Sequence, residues 1–291
     1  MDNWDEIRTA YHVARAGTVS GAANALGVHH ATVIRHIDAL EERLGVKLFQ
    51  RHARGYTPTE AGADLLQVAK ATDDQFTQLA GRIRGQGAGV SGDLVVTSLA
   101  VFAPMIAPVL TQLQADHPDL RVRYLTSERL FRLEYGEAHV AIRSGPAPDQ
   151  PDNVVQPLFE NTMCLAASQD YIARHGMPKD DADLVNHYFV GVDTELSRAP
   201  FNKWLLELVP QERITFVTDD TATAAEAIRA GAGIGFAGNW WAEKFGLVKV
   251  TEQRPEWRGP TWLVTHVDLH RSSKVQTVLA ALKEAAKGWC L

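Results

Sequence analysis

Residues 20 to 37, SGAANALGVHHATVIRHI, admit few structures, because two short helical patterns meet there at a tight turn. Ser20 can cap the first helix by accepting a hydrogen bond from a free backbone N–H, and Ala22, Ala23 and Leu26 then share one face at helical spacing. Gly27 closes that helix, since glycine tolerates the left-handed conformation that ends a helix and reverses the chain. Val28 follows as an apolar plug between the helices. The second helix begins near His30 and turns Val33, Ile37 and Leu40 inward, leaving His30, Thr32, Arg35 and His36 outside. A small residue at Ala23, a turn residue at Gly27 and a core residue at Val33 are what two helices crossing near a right angle require. On the outer side His30, Ala31, Thr32 and His36 are placed to meet base edges, while Ser20 and Arg35 suit phosphate. The same spacing also serves a helical hairpin in a core, so the rest of the chain must separate the two readings.

The opening residues extend the pattern. Trp4, Ile7, Tyr11 and Ala14 mark an amphipathic helix that stops at Gly17 and completes a three-helix core. Beyond the second helix, GVKLFQRHARGYTPT alternates apolar and polar residues on either side of a glycine turn, the pattern of a short hairpin or wing. Arg51, His52 and Arg54 at its tip would lie near a DNA backbone or minor groove, if they are not simply a solvated loop. Thr59 caps a long helix in which Leu65, Ala69, Thr72, Phe76, Leu79 and Ile83 recur at alternating steps of four and three, a seam that predicts pairing with a second copy. Packing of that seam on the next domain is the alternative. GQGAGVSG, residues 85–92, is the clearest linker.

Charge first argues against nucleic acid. The chain of 291 residues carries a formal net charge of -6, whereas a phosphate-binding surface should attract anions. The excess is segregated: residues 1–90 hold ten Lys plus Arg against ten Asp plus Glu, and five of the eleven histidines fall in the first 52 residues. A DNA-binding surface must therefore be a local patch. The chain has two cysteines, Cys164 in an apolar run and Cys290, with no CxxC pair, which fits a reducing cytoplasm. Neither an export signal nor an apolar run of eighteen residues is found, so no membrane association is expected.

From residue 93 strands alternate with helices. The strand candidates are DLVVTSLA, LRVRYLT, VAIRSG, VVQPLF, TMCLAAS, HYFVGV, RITFVT, GIGFAG and TWLVTH. Helical stretches run over 104–116, 129–133, 200–208, 222–230, 240–245 and 272–287. The alternation predicts mainly parallel sheets flanked by helices, with ligands bound beyond the carboxyl ends of the strands. Thr97 and Ser98 end the first strand before a helix, and Thr126 and Ser127 end the second. Arg143 ends the AIR strand, and Asp220 with Thr221 starts a helix after VTDD. This chemistry suits a small polar effector such as a carboxylate, although helix capping explains each hydroxyl, and an ion pair Arg143, equally well.

The segments AANALGVHHATVIRHIDALEERLGVKLFQR, TPTEAG, HPDLRVRYL, AHVAIR, AIRAGAGIGF and VDLHRSSKVQTVLAALKE, in that order, resemble the LysR-type transcriptional regulators over nearly the whole chain. The resemblance implies a multidomain protein with a winged helix-turn-helix at 1–58, a dimerising linker helix at 59–84, a hinge at 85–92 and an α/β effector domain like a periplasmic binding protein at 93–291. That effector domain would have two subdomains, 93–162 with 265–291 and 163–264, the chain crossing near residue 162 and returning near residue 264. It further implies binding to double-stranded operator DNA, control by a small-molecule effector in a cleft lined by the loops above, a dimer that can assemble into a tetramer, and contact with RNA polymerase.

Departures from the family lie in the DNA reader. Members usually carry serine and glutamine where this chain has His29 and His30, and often serine at Ile34. Losing the serine removes a good N-cap, worth about 1 kcal/mol, and puts imidazoles at the groove. These histidines act either as ordinary neutral donors and acceptors or as groups whose protonation raises DNA affinity at lower pH. An enzyme is disfavoured: Walker A, HExxH and GxSxG sequences are lacking, and the glycines of GAGIGFAG follow a helix as a tight turn. His266 and His270 fall on a strand and its exit loop rather than one helical face, which speaks against zinc, and no cofactor motif is present. A redox-sensing regulator would need a reactive thiol, and Cys164 has no nearby basic residue; a small-molecule binding protein with an accessory N-terminus is the remaining alternative.

Overall fold

The computed structural model describes residues 4–52, 55–83, 90–192, 199–251 and 254–289. The chain divides into two compact units, Met1–Gly89 with Arg132–Glu137 and Val90–Phe131 with Ala138–Leu291.

The first unit begins with three helices, α1 (Trp4–Ala16), α2 (Val19–Leu26) and α3 (His30–Leu44). A hairpin of β1 (Phe49–His52) and β2 (Gly55–Pro58) follows, then the long α4 (Glu60–Ile83). The antiparallel register Phe49↔Pro58 to His52↔Gly55 makes the hairpin the expected wing. Ala10, Val13, Ala22, Val33, Ile37 and Leu40 are buried at the centre of the three-helix core, and the alanines let α1, α2 and α3 approach closely. Two local expectations are corrected. The N-cap of α2 is Thr18, whose hydroxyl accepts from Gly21 N at 3.1 Å, so Ser20 is left exposed inside the first turn. Val28 is not a plug: its side chain is 39% exposed, and it closes the turn instead through its backbone N–H to Ala23 O at 3.1 Å, made reachable by Gly27 at φ +67.

The seam on α4 is divided between duties. Ala69 is buried in the core of this unit and Leu65 and Leu66 pack half-buried against it, because the first turns of α4 cover α1. Phe76 is 51% exposed and meets Trp4 edge-on at 5.3 Å, and Val68 nearby is 61% exposed. Thr72 bonds back to Val68 O at 2.9 Å. The side chains of Leu79 and Ile83, and the whole of Arg54, lie outside the described residues.

The second unit opens with β3 (Gly92–Ser98), α5 (Ala103–Asp116), β4 (Leu120–Thr126), β5 (Val140–Ser144) and β6 (Asn153–Ala167). It continues through α6 (Gln169–His175), β7 (Phe189–Val192), α7 (Pro200–Leu208), β8 (Ile214–Thr218), α8 (Thr221–Arg229) and β9 (Gly235–Gly238). It closes with α9 (Asn239–Lys244), β10 (Val248–Lys249), β11 (Arg258–His266), α10 (Val267–His270) and α11 (Ser273–Ala286). The main sheet runs β10-β6-β11-β5-β3-β4, with β9 also on β6, and β7 pairs β8 separately.

The sheet is mixed rather than mainly parallel. β3 is parallel to β4 and β5, whereas β11 is antiparallel to β5 and β6, and β6 is antiparallel to β9 and β10. An apolar run reads the same in either direction, so composition did not reveal this. VVQPLF and TMCLAAS form one continuous 15-residue strand, β6, since Glu160 and Asn161 between them stay extended and paired. Its residues 153–162 pair with β11, while its residues 163–166 pair with β9. β11 already pairs with β6 at Arg258, so the return strand starts well before residue 264. No helix forms over 129–133; Arg129 N bonds the Ser127 hydroxyl at 3.0 Å, and a short 3-10 turn occupies Leu133–Tyr135. No described helix is long and apolar enough to cross a membrane.

Candidate DNA interface and ligand cavity

The exposed start of α3 carries most of the proposed DNA readers. His29 occupies its N-cap position with no side-chain cap bond, as expected from the missing serine. His30 Nε2 lies 2.7 Å from the Ser20 hydroxyl, so two residues selected separately from the sequence are brought together across the turn. His29, Ala31 and Arg35 are exposed and Thr32 is half-buried. His36 is engaged from behind: its Nδ1 lies 2.9 Å from the Thr9 hydroxyl, which itself donates to Asp5 O at 2.6 Å. With the single hydroxyl proton so used, Nδ1 serves as the donor of this pair and Nε2 is left on the other edge of the ring.

A buried carboxylate decides which cations of this unit stay available. Glu41 on α3 has a side chain only 1% exposed. It accepts from Lys47 Nζ at 2.7 Å, from Leu48 N at 2.9 Å, from Phe49 N at 3.2 Å and from Arg51 at 3.0 Å. Burial pushes its carboxyl up, but the bonds from Lys47, Leu48 and Phe49 and the charge of Arg51 outweigh this and hold it below the usual carboxylate range. Arg51 also pairs with Asp38 at 2.6 Å and covers the Tyr56 ring, so it braces the wing on α3. Arg43 is paired with buried Glu6. Arg35, by contrast, makes no ion pair among the described residues. Sequence reasoning missed Glu41 because a glutamate in EERLG reads as solvated surface.

The second unit contains a cavity of about 640 Å³. Aromatic rings form part of its walls, Phe159, Phe236, Trp240, Trp241, Trp257 and Trp289 among them. Strand β6 delivers Phe159 and Asn161, and the step from β9 into α9 delivers Asn239, Trp240 and Trp241. Gly235 lets β9 lie close on α8, since a Cβ there would meet Ile228 Cδ1 at 2.7 Å. Among the described residues, the ionisable lining comprises Glu128, Glu160, Asp219 and Glu256 with a single cation, Arg258.

Of the seven residues selected as effector ligands, Thr221 lines this cavity, where its hydroxyl donates to Glu128 Oε1 at 3.0 Å. The others have different positions. Thr97 and Ser98 are buried, and the Ser98 hydroxyl lies 2.5 Å from that of Tyr124 and 2.8 Å from Leu99 O. Thr126 is exposed at the end of β4, and Ser127 accepts from Arg129 N. Arg143 donates to Phe131 O at 2.9 Å, and Asp220 caps α8 by accepting from Thr223 N at 2.6 Å. The aromatic lining went unnoticed because its members come from elements far apart in the chain; NWW after GFAG was the one local signal.

Cys164 is fully buried on β6, and burial pushes its thiol up to about 11, leaving it protonated and unreactive near neutrality. His270 ends α10 rather than lying in a loop, and its Nδ1 sits 2.9 Å from the Thr265 hydroxyl. DNA binding by the wild type and by Cys164→Ala is accordingly expected to respond identically to hydrogen peroxide in a mobility-shift assay; protection by the substitution would restore a redox reading.

Comparison with known proteins accounts for both units. Residues 4–63 match the bacterial regulatory helix-turn-helix model of the lysR family, and residues 87–287 match the LysR substrate binding domain. An HTH-type transcriptional repressor of Pseudomonas aeruginosa is 30% identical over 240 residues, covering 80% of this chain and 75% of that protein. The HTH-type transcriptional regulator YcaN of Escherichia coli is 28% identical over 238 residues, covering 80% of this chain and 78% of its own. Among solved structures, ArgP from Mycobacterium tuberculosis shares the fold with a TM-score of 0.71 at 20% identity, covering 100% of this chain and 99% of that one. Full-length LysG from Corynebacterium glutamicum, with arginine bound as effector, gives a TM-score of 0.66 at 18% identity, with 99% of each chain covered. With one model on the DNA-binding unit and the other spanning most of the rest, this chain belongs to the LysR-type transcriptional regulators and joins a helix-turn-helix DNA-binding domain to a substrate-binding effector domain.

Proposed function

We propose that the exposed start of α3 reads operator DNA, with His29, His30, Ala31, Thr32 and His36 toward base edges and Ser20 and Arg35 toward phosphate. Arg35 carries this reading: it is an exposed guanidinium with no ion-pair partner among the described residues, whereas Arg43, Lys47 and Arg51 are each held in ion pairs. Arg51 then supports DNA binding by holding the wing, with Arg54 beyond it as a further phosphate ligand. Arg35→Ala is expected to weaken binding to every sequence and to reduce the slope of log affinity against log salt by about one. His30→Ala is expected instead to change which sequences are preferred. Fluorescence anisotropy over a salt series measures both, and an unchanged slope for Arg35→Ala would remove the phosphate assignment.

A small molecule in the aromatic cavity is the effector in this reading, and the chain acts as a regulator without catalysis. A carboxylate effector would have to be held by Arg258 against four acids. Self-pairing runs along the exposed side of α4, through Phe76 and Val68, toward Leu79 and Ile83. A tetramer through the effector domains, contact with RNA polymerase, a cytoplasmic location and the division at 58, 84 and 92 complete the proposal by analogy with the family.

A further inference from the structure

We infer that the cavity of the second unit takes an organic cation, an apolar ring or chain bearing a protonated amine, rather than a carboxylate. This rests on the effector reading above and gives that effector a chemical class. Two independent features carry it.

The first is charge. Among the described residues, Glu128, Glu160, Asp219 and Glu256 line the cavity against the one guanidinium of Arg258. Among the described residues the exposed side chains of Glu160, Asp219 and Glu256 make no ion pair or hydrogen bond, and that of Glu128 is engaged by the uncharged Thr221. Their charge is therefore not cancelled locally, and an entering anion would be repelled where an ammonium group would be drawn in. The aromatic walls fit the same ligand, because the face of an indole or phenyl ring attracts cations. Trp240 and Trp257 already hold cations of the chain itself, Lys244 Nζ at 4.8 Å and Arg254 at 5.1 Å, and neither of those cations is among the lining residues.

The second feature is a set of unanswered polar groups. Asn239 lines the cavity and is only 3% exposed, yet neither its amide nitrogen nor its amide oxygen has a partner among the described residues. The Nε1 of Trp257, another lining residue, is likewise buried without a partner there. Buried polar groups in folded proteins are as a rule satisfied, so such groups around a cavity indicate a ligand that donates and accepts. An ammonium donates to Asn239 Oδ1, and a hydroxyl or carbonyl on the same molecule accepts from Asn239 Nδ2.

Three probes with one ring separate the classes: tryptamine, indole-3-acetate and uncharged 3-methylindole, each titrated calorimetrically into the full-length protein at pH 7. Tryptamine is expected to bind at least tenfold more tightly than indole-3-acetate and more tightly than 3-methylindole. In the double variant Glu160→Gln, Glu256→Gln, tryptamine is expected to lose fivefold or more while indole-3-acetate gains. A misfolded variant would weaken all three together, and Asn239→Asp, which adds an acid at the unsatisfied position, is then expected to strengthen tryptamine. Equal or tighter binding of the acid or the neutral ring, or no binding of tryptamine at millimolar concentration, overturns the inference. A mobility shift on operator DNA keeps the two claims apart: operator binding that responds to a carboxylate sinks the cation but keeps the effector reading, and failure to bind DNA sinks the regulator reading alone.

Discussion

Glu41→Ala is expected to destabilise the DNA-binding unit by about 3 kcal/mol and to detach the wing from α3. The carboxylate is buried and receives two backbone N–H groups and two cations. Its removal leaves the buried N–H groups of Leu48 and Phe49 without their acceptor, at about 1–3 kcal/mol each before relaxation. Lys47 and Arg51 remain partly exposed and can rehydrate, so their loss adds less. For a unit of this size, its transition in a calorimetric melt should fall by roughly 12–24 °C. A shift under 4 °C would show that the carboxylate is not the brace.

The same residue sets an acid limit. Its folded-state carboxyl lies below the usual range, so the unfolded chain binds the proton first and the stabilisation is complete above the ordinary carboxylate pKa of about 4.3. As pH falls below that value and through the lower folded one, the contribution is lost. Glu41→Gln should therefore flatten the decline in melting temperature of this unit below about pH 4.3.

Gly62→Ala is expected to cost about 3 kcal/mol, the upper end for overpacking, and to abolish operator binding. A Cβ at Gly62 would stand 1.9 Å from Leu48 O and 3.0 Å from Leu48 C. Both are backbone atoms, so no side-chain rotation relieves the clash. The carbonyl also accepts from Thr59 N at 2.9 Å, which joins the start of α4 to the approach to the wing. Alanine must push α4 off Leu48, moving the wing and the helix proposed to pair copies at once. Glu60→Ala, an exposed neighbour, should change neither stability nor binding measurably, which makes it the control for thermal melts and anisotropy. A Gly62→Ala protein that melts and binds like the wild type would mean that α4 is free to slide here.

Much of the DNA-binding unit could be read from the chain because its determinants lie within a few residues of one another. Val33, Ile37 and Leu40 are buried as their spacing requires, Gly27 is left-handed where the helix must stop, and the hairpin closes around Gly55. Where reading failed, two side chains competed for one local role, as Thr18 and Ser20 did for the cap, or the pattern lacked direction, as in the antiparallel β11. The seam on α4 shows a third kind of failure. Leu65, Ala69 and Phe76 follow one heptad spacing, yet packing on α1 buries Ala69, half-buries Leu65 and leaves Phe76 half exposed at the edge of Trp4.

By itself the sequence determined the helix-turn-helix, the wing, the long helix and the alternation of strands and helices, because hydrophobic period and capping act over one or two turns. Tertiary structure alone decided which charges and rings are available for function. Glu41 pairs with Lys47 and, together with Asp38, with Arg51, while Arg35 has no ion-pair partner among the described residues; Glu128 meets Thr221 across 93 residues at the cavity wall. Such pairings depend on where distant segments converge, and no local pattern records that.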